Sequence, residues 1–157
     1  IVLFWDNSNS AQSRDIEKEL TLLDSYIQKI GNLNIELVQF NIKTRKGESF
    51  EITNGNWEKL KSALKTMVYD GGTSFGSLDF TKYKGDEILL FSDGMSNFGK
   101  SEPVFSNIPI NVISSSLTVN YDFLSYIAQR CGGLSVNLNK LTNDEALSLL
   151  ANSNSNS

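Results

Sequence analysis

The chain has 157 residues, of which 39% are hydrophobic and 20% charged, with a net charge of −4. This size is typical of one globular domain, and the negative charge without a basic run argues against nucleic-acid or anionic-membrane binding. No apolar stretch approaches the roughly 18 residues that span a bilayer. Histidine is absent and Cys131 is the one cysteine. This excludes an intradomain disulfide, a Cys/His zinc site and histidine base catalysis, so a metal here must be held by oxygen.

Residues 1–53 predict three strands, with one helix between the first two. Residues 1–5 (IVLFW) are an unbroken apolar run, typical of a strand buried on both faces. Residues 34–42 form a weaker apolar run, and residues 49–53 alternate as an edge strand does. Apolar residues that form one stripe predict the helix, and Gly31 is expected to end it. The stripe consists of Ile16, Leu20, Leu23, Ile27 and Ile30.

Residues 54–157 predict three helices and three strands. Residues 87–91 (EILLF) read as a second fully buried strand, with weaker strands at 110–114 and 134–138. A short last helix spans 143–151, with Thr142 or Asn143 as its N-cap, and the polar tail 152–157 is predicted to be linker or disordered. The other two helices rest on the stripes Trp57, Leu60, Leu64, Met67 and Phe123, Leu124, Ile127, Ala128, Cys131.

Strands that alternate with helices predict one α/β domain over residues 1–151. We expect a doubly wound, mainly parallel six-stranded sheet with helices on both faces. Residues 1–6 should be central and residues 49–53 antiparallel at an edge. In such folds ligands bind beyond the carboxyl ends of the central strands, so polar residues at those ends are the candidates for a site.

Three loops at predicted strand ends carry oxygen ligands suited to a hard metal ion. Residues 6–10 (DNSNS) follow the first strand, residues 69–76 (YDGGTSFG) precede the next buried strand, and residues 91–94 (FSDG) end it. Glycines at 71, 72 and 94 let the backbone turn tightly. The loops supply two carboxylates and three hydroxyls, from Asp6, Ser8, Ser10, Thr73 and Asp93.

These loops resemble the von Willebrand factor A family, in which D-x-S-x-S, a G-G-T loop and a strand ending in S/T-D-G form the metal-ion-dependent adhesion site. The resemblance covers nearly the whole chain, through YIAQRCGGLSVNL at residues 126–138. The YDGGTS loop is most similar to members that also carry an inter-alpha-trypsin-type module. The segment 94–109 is shorter than the corresponding segment of larger family members, which contains a full helix.

The resemblance implies that Ser8, Ser10 and Thr73 are hydroxyl ligands and that Asp6 and Asp93 bind the ion directly or through water. Two carboxylates balance a dication, and neutral ligands leave it electrophilic enough to accept an Asp or Glu of a protein or peptide partner. Mg²⁺ suits such a site, with Mn²⁺ or Ca²⁺ as alternatives. We expect a domain that is monomeric in isolation, from a secreted or surface-exposed bacterial protein.

Other residues on these loops are candidates for the same face, each with a structural alternative. Asp70 could orient Thr73 or the waters of the ion, or it could be an exposed turn acid. Phe75, Met95 and Phe98 could form an apolar rim for a partner, or they could pack in the core. Gly72 and Ser74, the sequence neighbours of Thr73, are further candidates for supporting the ion or contacting a partner.

The metal interpretation competes with simpler and with enzymatic ones. Each ligand alone could be a helix cap or a turn residue, and a degenerate metal-free domain is an alternative.

Residues 94–101 fit G-x-x-x-x-G-K-S, the phosphate loop of ATPases, but residues 102–109 hold both prolines and leave no room for its helix. An aspartyl phosphatase needs a second acid where Ser8 stands. Catalysis is therefore not expected.

Overall fold

The computed structural model describes residues 1–9, 13–41, 43–95, 102–117 and 119–155. The described chain forms one six-stranded sheet, in the order β3-β2-β1-β4-β5-β6. The strands are β1 (Val2–Asp6), β2 (Leu33–Phe40), β3 (Glu48–Ile52), β4 (Ile88–Phe91), β5 (Ile110–Ser114) and β6 (Ser135–Asn137).

The sheet confirms the predicted fold class. β1 is central and pairs in parallel with β2 and β4, whereas β3 is an antiparallel edge strand that pairs with β2. β5 and β6 continue the parallel part. The prediction of β5 at 110–114 matches the structure, and the ends of the other strands differ from the predicted ones by at most two residues, because apolar runs do not mark where hydrogen-bonded pairing stops.

In the described part of the chain, four α-helices accompany the sheet: α1 (Ile16–Ile30), α2 (Glu58–Lys65), α3 (Tyr121–Arg130) and α4 (Asn143–Ser155). The side chains of Asp15 and Asn120 cap α1 and α3 by accepting hydrogen bonds from backbone N–H groups of the first turn. α4 continues past residue 151, where we predicted its end, so residues 152–155 of the polar tail are helical. The described chain has no helix that is long and apolar enough to cross a membrane.

Two hydrophobic clusters lie on opposite faces of the sheet. One contains apolar residues of α1, α2 and α4 together with Leu3 and Trp5. The other contains α3 and two 3-10 turns, Phe75–Ser77 and Phe80–Lys82, together with Val2 and Phe4. Successive residues of β1 face alternate clusters, which explains why that strand is apolar throughout.

The chain crosses the carboxyl edge of the sheet between α2 and the first 3-10 turn, because these elements pack on opposite faces. Backbone hydrogen bonds fasten this crossing to the ends of the central strands. The Asp70 N–H donates to the Asn7 carbonyl at 3.0 Å, and the Ser74 N–H donates to the Asn41 carbonyl at 3.0 Å. Thr73 is thereby placed above the end of β1.

Candidate functional site

The carboxylate of Asp6 is the centre of the candidate site. Asp6 ends β1 and is 0% exposed. Its Oδ1 accepts hydrogen bonds from the Ser8 N–H at 2.9 Å and from Thr73 Oγ1 at 3.5 Å. Its Oδ2 accepts a hydrogen bond from Ser92 Oγ at 2.7 Å. The structure therefore brings together Asp6, Ser8 and Thr73, as the sequence predicts, and adds Ser92.

Asp93 lies on the neighbouring strand end and is 1% exposed. Trp5 of β1 is paired with Phe91 of β4, so Asp6 and the residues after Phe91 meet at the same edge of the sheet. Asp93 Oδ1 accepts a hydrogen bond from the Met95 N–H at 2.9 Å, and the Asp93 carbonyl accepts one from the Asn120 N–H at 2.9 Å. The loop at 91–94 is thus fixed beside Asp6.

Gly94 permits this placement of the third loop. Its φ is +73°, and a Cβ there would lie 2.8 Å from the Asn120 carbonyl oxygen and 2.9 Å from Leu124 Cγ. Any larger residue would both strain the backbone and push α3 away from the loop. The glycine therefore holds Asp93 against the first turn of α3.

Several predicted residues lie outside the described part of the chain. They include Ser10, the third predicted hydroxyl ligand, and Phe98 of the proposed apolar rim. Residues 96–101 of the phosphate-loop motif also lie outside it. The roles of these residues remain predictions.

The remaining candidates differ in exposure. Asp70 is exposed, and Gly72 and Ser74 are half-buried. Met95 is 41% exposed, so it is available at the surface beside Asp93. Phe75 is fully buried, with its ring 5.8 Å from Phe40 and 4.7 Å from Phe123. Phe75 therefore packs in the core, which was the alternative interpretation for this group of side chains, and does not form a surface rim.

A buried ion pair beneath the first loop was missed in the sequence. Arg14 and Glu19 have fully buried side chains and form a salt bridge of 2.6 Å. Arg14 Nη1 also donates to the Asp6 carbonyl at 2.6 Å, and its guanidinium lies over the Trp5 ring at 5.1 Å. One signal was available: Glu19 stands three residues after Ile16, at a spacing that places it on the buried stripe of α1.

The charges around Asp6 suit a cation. Burial lowers the pKa of Arg14, but the charge and hydrogen bonds of Glu19, together with smaller contributions from Asp6 and Tyr69, raise it overall. Arg14 is therefore always charged, and its ion pair is with Glu19. Within the described residues, the hydrogen-bond donors to the Asp6 carboxylate itself are neutral.

The donor chemistry fits a hard divalent ion. In the described residues no three Asp, Glu or Cys side chains lie close enough together to hold a metal. Asp6 and Asp93 supply carboxylate oxygens and Ser8 and Thr73 supply hydroxyl oxygens, an all-oxygen set of the kind that Mg²⁺ or Ca²⁺ prefers.

Comparison with known proteins supports the fold. No family model and no curated protein sequence matches the chain. Among solved structures, the chain is similar to the conserved hypothetical protein BatB from Bacteroides thetaiotaomicron, at 15% identity and a TM-score of 0.69 over 99% of this chain and 96% of that one. It is also similar to a von Willebrand factor type A protein from Catenulispora acidiphila, at 11% identity and a TM-score of 0.52 over 94% and 39%.

A third similar structure is proximal thread matrix protein 1 from the mussel byssus, which was solved with a zinc-occupied MIDAS motif, the metal-ion-dependent adhesion site. Identity is 17% and the TM-score 0.56, over 97% of this chain and 46% of that one. Likeness at these identities establishes architecture alone. The chain therefore has a von Willebrand factor A-type α/β fold.

Proposed function

We propose that this domain binds a divalent cation through Asp6, Ser8, Ser10, Thr73 and Asp93, and through the ion a carboxylate of a protein or peptide partner. The observation that carries the proposal is the buried Asp6 carboxylate, which accepts hydrogen bonds from Ser8, Thr73 and Ser92 beside the buried Asp93. Mg²⁺ is the proposed ion, with Mn²⁺ or Ca²⁺ as alternatives.

The side chains of the site have separate tasks in this proposal. Asp6 and Asp93 supply two negative charges in a buried setting, where an opposite charge is felt strongly. Ser8 and Thr73 add neutral oxygens, and Ser92 holds one carboxylate oxygen of Asp6 in place. A bound dication would supply an electrophilic position at which a partner's carboxylate becomes a ligand.

The comparison with the mussel protein supports metal binding by this kind of fold, since that protein holds zinc in its MIDAS motif. The fold itself supports a role as a protein-interaction module. Adhesion or assembly, a bacterial surface location and an accompanying inter-alpha-trypsin-type module belong to the proposal as predictions from the sequence resemblance.

We propose binding rather than catalysis. A phosphate loop at residues 94–101 requires a helix directly after it. In the described segment 102–109 the chain is instead extended around Val104, whose N–H donates to the Leu78 carbonyl at 2.9 Å and whose carbonyl accepts from the Phe80 N–H at 2.9 Å. This arrangement does not favour the ATPase alternative.

Calorimetric titration with Mg²⁺ and Mn²⁺ tests the metal site. Wild-type protein should bind one ion, and Asp6→Asn should lose binding while remaining folded, because it removes a ligand charge and keeps the side-chain size. Asp86→Asn, an exposed acid at the opposite edge of the sheet, is the matched control and should bind as wild type does. Equal binding by wild type and Asp6→Asn would refute the assignment.

Capture of partners in Mg²⁺ or in chelator tests the second half of the proposal. A partner should be retained in Mg²⁺ only, and replacement of its key Asp or Glu by Asn or Gln should release it. Thr73→Ala should weaken retention of the partner, whereas Thr66→Ala, at the exposed threonine directly after α2, should not. A partner that is held equally in Mg²⁺ and in chelator would place the interaction on another face.

A further inference from the structure

We propose that the buried Arg14–Glu19 pair is a positioning device for the metal site, which holds the backbone of Asp6 at the end of β1 in the position that ion binding requires. This inference rests on the proposed function, since it concerns the affinity of the same site. Neither residue is a proposed ligand. They act through Asp6.

The pair closes the first site loop. Arg14 Nη1 donates to the Asp6 carbonyl at 2.6 Å, which joins the two ends of the segment that carries Ser8 and Ser10. The Glu19 carboxylate accepts hydrogen bonds from the other side of the guanidinium, from Nε at 3.0 Å and from Nη2 at 2.6 Å. Such a two-point contact fixes the plane of the guanidinium and so fixes the direction in which Nη1 points.

The pair is anchored to the neighbouring strand as well. Ser115, just after β5, donates from Oγ to Glu19 Oε2 at 2.6 Å and accepts from the Asp15 N–H at 2.7 Å. The first turn of α1, the end of β1 and the end of β5 are therefore joined by one buried network. A change in the position of Arg14 must move at least one of these elements.

Trp5 carries the same network to the other two site loops. The guanidinium of Arg14 lies over the indole, whose Nε1 donates to the Tyr69 hydroxyl at 2.9 Å at the start of the second loop. Phe91, at the start of the third loop, stacks on Trp5 with the ring centroids 4.8 Å apart. One layer of side chains beneath the site thus contacts all three loops.

Stability alone does not account for this pair. Burying an ion pair costs desolvation, and apolar side chains of similar volume often stabilise a fold as well or better. An apolar pair cannot donate to the Asp6 carbonyl, however, and so cannot hold the end of β1. Groups that orient metal ligands without touching the metal commonly change its affinity by about 10–100-fold.

The test is a Mn²⁺ titration by calorimetry on wild type, Arg14→Met/Glu19→Leu and Glu87→Gln. The double variant leaves no lone buried charge. Glu87 is the matched control, because it is a buried carboxylate at the opposite edge that accepts from Tyr26 Oη at 2.7 Å and Asn111 Nδ2 at 2.5 Å. The double variant should raise Kd at least about tenfold, and Glu87→Gln should leave Kd within about twofold.

Circular dichroism at the titration temperature shows which variants are folded. If the double variant is not folded, Arg14→Lys replaces it, because lysine keeps the charge opposite Glu19 but cannot reach both Glu19 and the Asp6 carbonyl. An unchanged Kd in the folded variant overturns the positioning role and leaves the metal site standing. An equal rise in Glu87→Gln overturns it too, since general loosening then explains the effect. Absence of Mn²⁺ binding to wild type overturns both proposals.

Discussion

At the scale of single residues, the Asp6 carboxylate makes both local hydrogen bonds and hydrogen bonds to residues distant in sequence. The Ser8 N–H donates to Asp6 Oδ1 across two residues, the local bond by which Asp commonly shapes a turn. Thr73 and Ser92 reach the same carboxylate from loops that are distant in sequence. The Asp6 carboxylate therefore shapes a local turn and also holds two distant loops at the end of β1.

Ser92→Ala should destabilise the metal-free protein, because the buried Asp6 carboxylate then loses its 2.7 Å hydrogen bond. Loss of a hydrogen bond to a buried charged group costs about 1–3 kcal/mol. Urea denaturation in chelator measures the change in the free energy of unfolding. Ser77→Ala, a half-buried serine outside the site, should cost less. An equal loss of unfolding free energy in the two variants would refute a specific contribution of the Ser92–Asp6 hydrogen bond.

Tyr121→Phe should make the protein more resistant to alkali. Burial raises the pKa of Tyr121 from its ordinary value near 10 to about 12, so the folded state keeps this proton where the unfolded chain has lost it. The stability that this provides is fully present below pH 10 and is lost as the pH rises towards 12. The melting temperature of wild type should therefore fall more steeply over this range than that of the variant.

Near pH 7 the two proteins should have similar melting temperatures, or the variant a slightly higher one. The buried Tyr121 hydroxyl has no hydrogen-bond partner among the described residues, so its removal leaves no donor or acceptor behind. Thermal denaturation at pH 7 and pH 11 gives both comparisons. Parallel losses of melting temperature in the two proteins would refute the role of Tyr121.

At the scale of elements, the turn from α3 to β6 depends on two adjacent glycines for different reasons. Gly132 has a φ of +72° and open space where a Cβ would be. At Gly133 a Cβ would lie 1.8 Å from the carbonyl oxygen of Ile110, the first residue of β5. The first glycine therefore permits a left-handed backbone conformation, and the second permits a close contact with the sheet.

Gly133→Ala should therefore destabilise the fold much more than Gly132→Ala. The second change costs about 1–2 kcal/mol for a left-handed backbone conformation. The first displaces the helix–strand turn from β5, for which we expect about 3 kcal/mol or more. Chemical denaturation of the two variants compares them directly, and a larger loss for Gly132→Ala would contradict the packing.

At the scale of the whole molecule, β1 joins the two hydrophobic clusters. Phe4 packs against Phe80 and Tyr83 with ring centroids 5.0 and 4.9 Å apart, whereas Trp5 and Trp57 lie in the other cluster. Because the clusters share one strand, we expect the domain to unfold as a single cooperative unit.

Phe4→Ala tests this cooperativity. Removal of a fully buried ring costs about 3–5 kcal/mol. Tryptophan fluorescence, which reports on the opposite cluster, should shift to lower denaturant concentration together with far-ultraviolet circular dichroism. A fluorescence transition that stays at the wild-type midpoint would show that the two faces unfold independently.

The elements of this fold could be predicted from the sequence because they depend on local periodicity. The apolar run at the first residues marks a strand buried on both faces, and the stripe of α1 marks one buried helix face. The ends of elements were less accurate. Ile30 belongs to the predicted stripe but is the last residue of α1 and is 40% exposed.

The sequence by itself determined which oxygen-bearing residues stand at the strand ends, since the positions of the strands along the chain and the composition of the loops follow from local patterns. Only the tertiary structure decided which side chains meet: Ser92 with Asp6, Phe75 with the core, and Arg14 with Glu19. Contacts between residues far apart in sequence depend on register, crossing direction and side-chain orientation. Those quantities are set when the sheet and helices pack together, so no local pattern of residues encodes them.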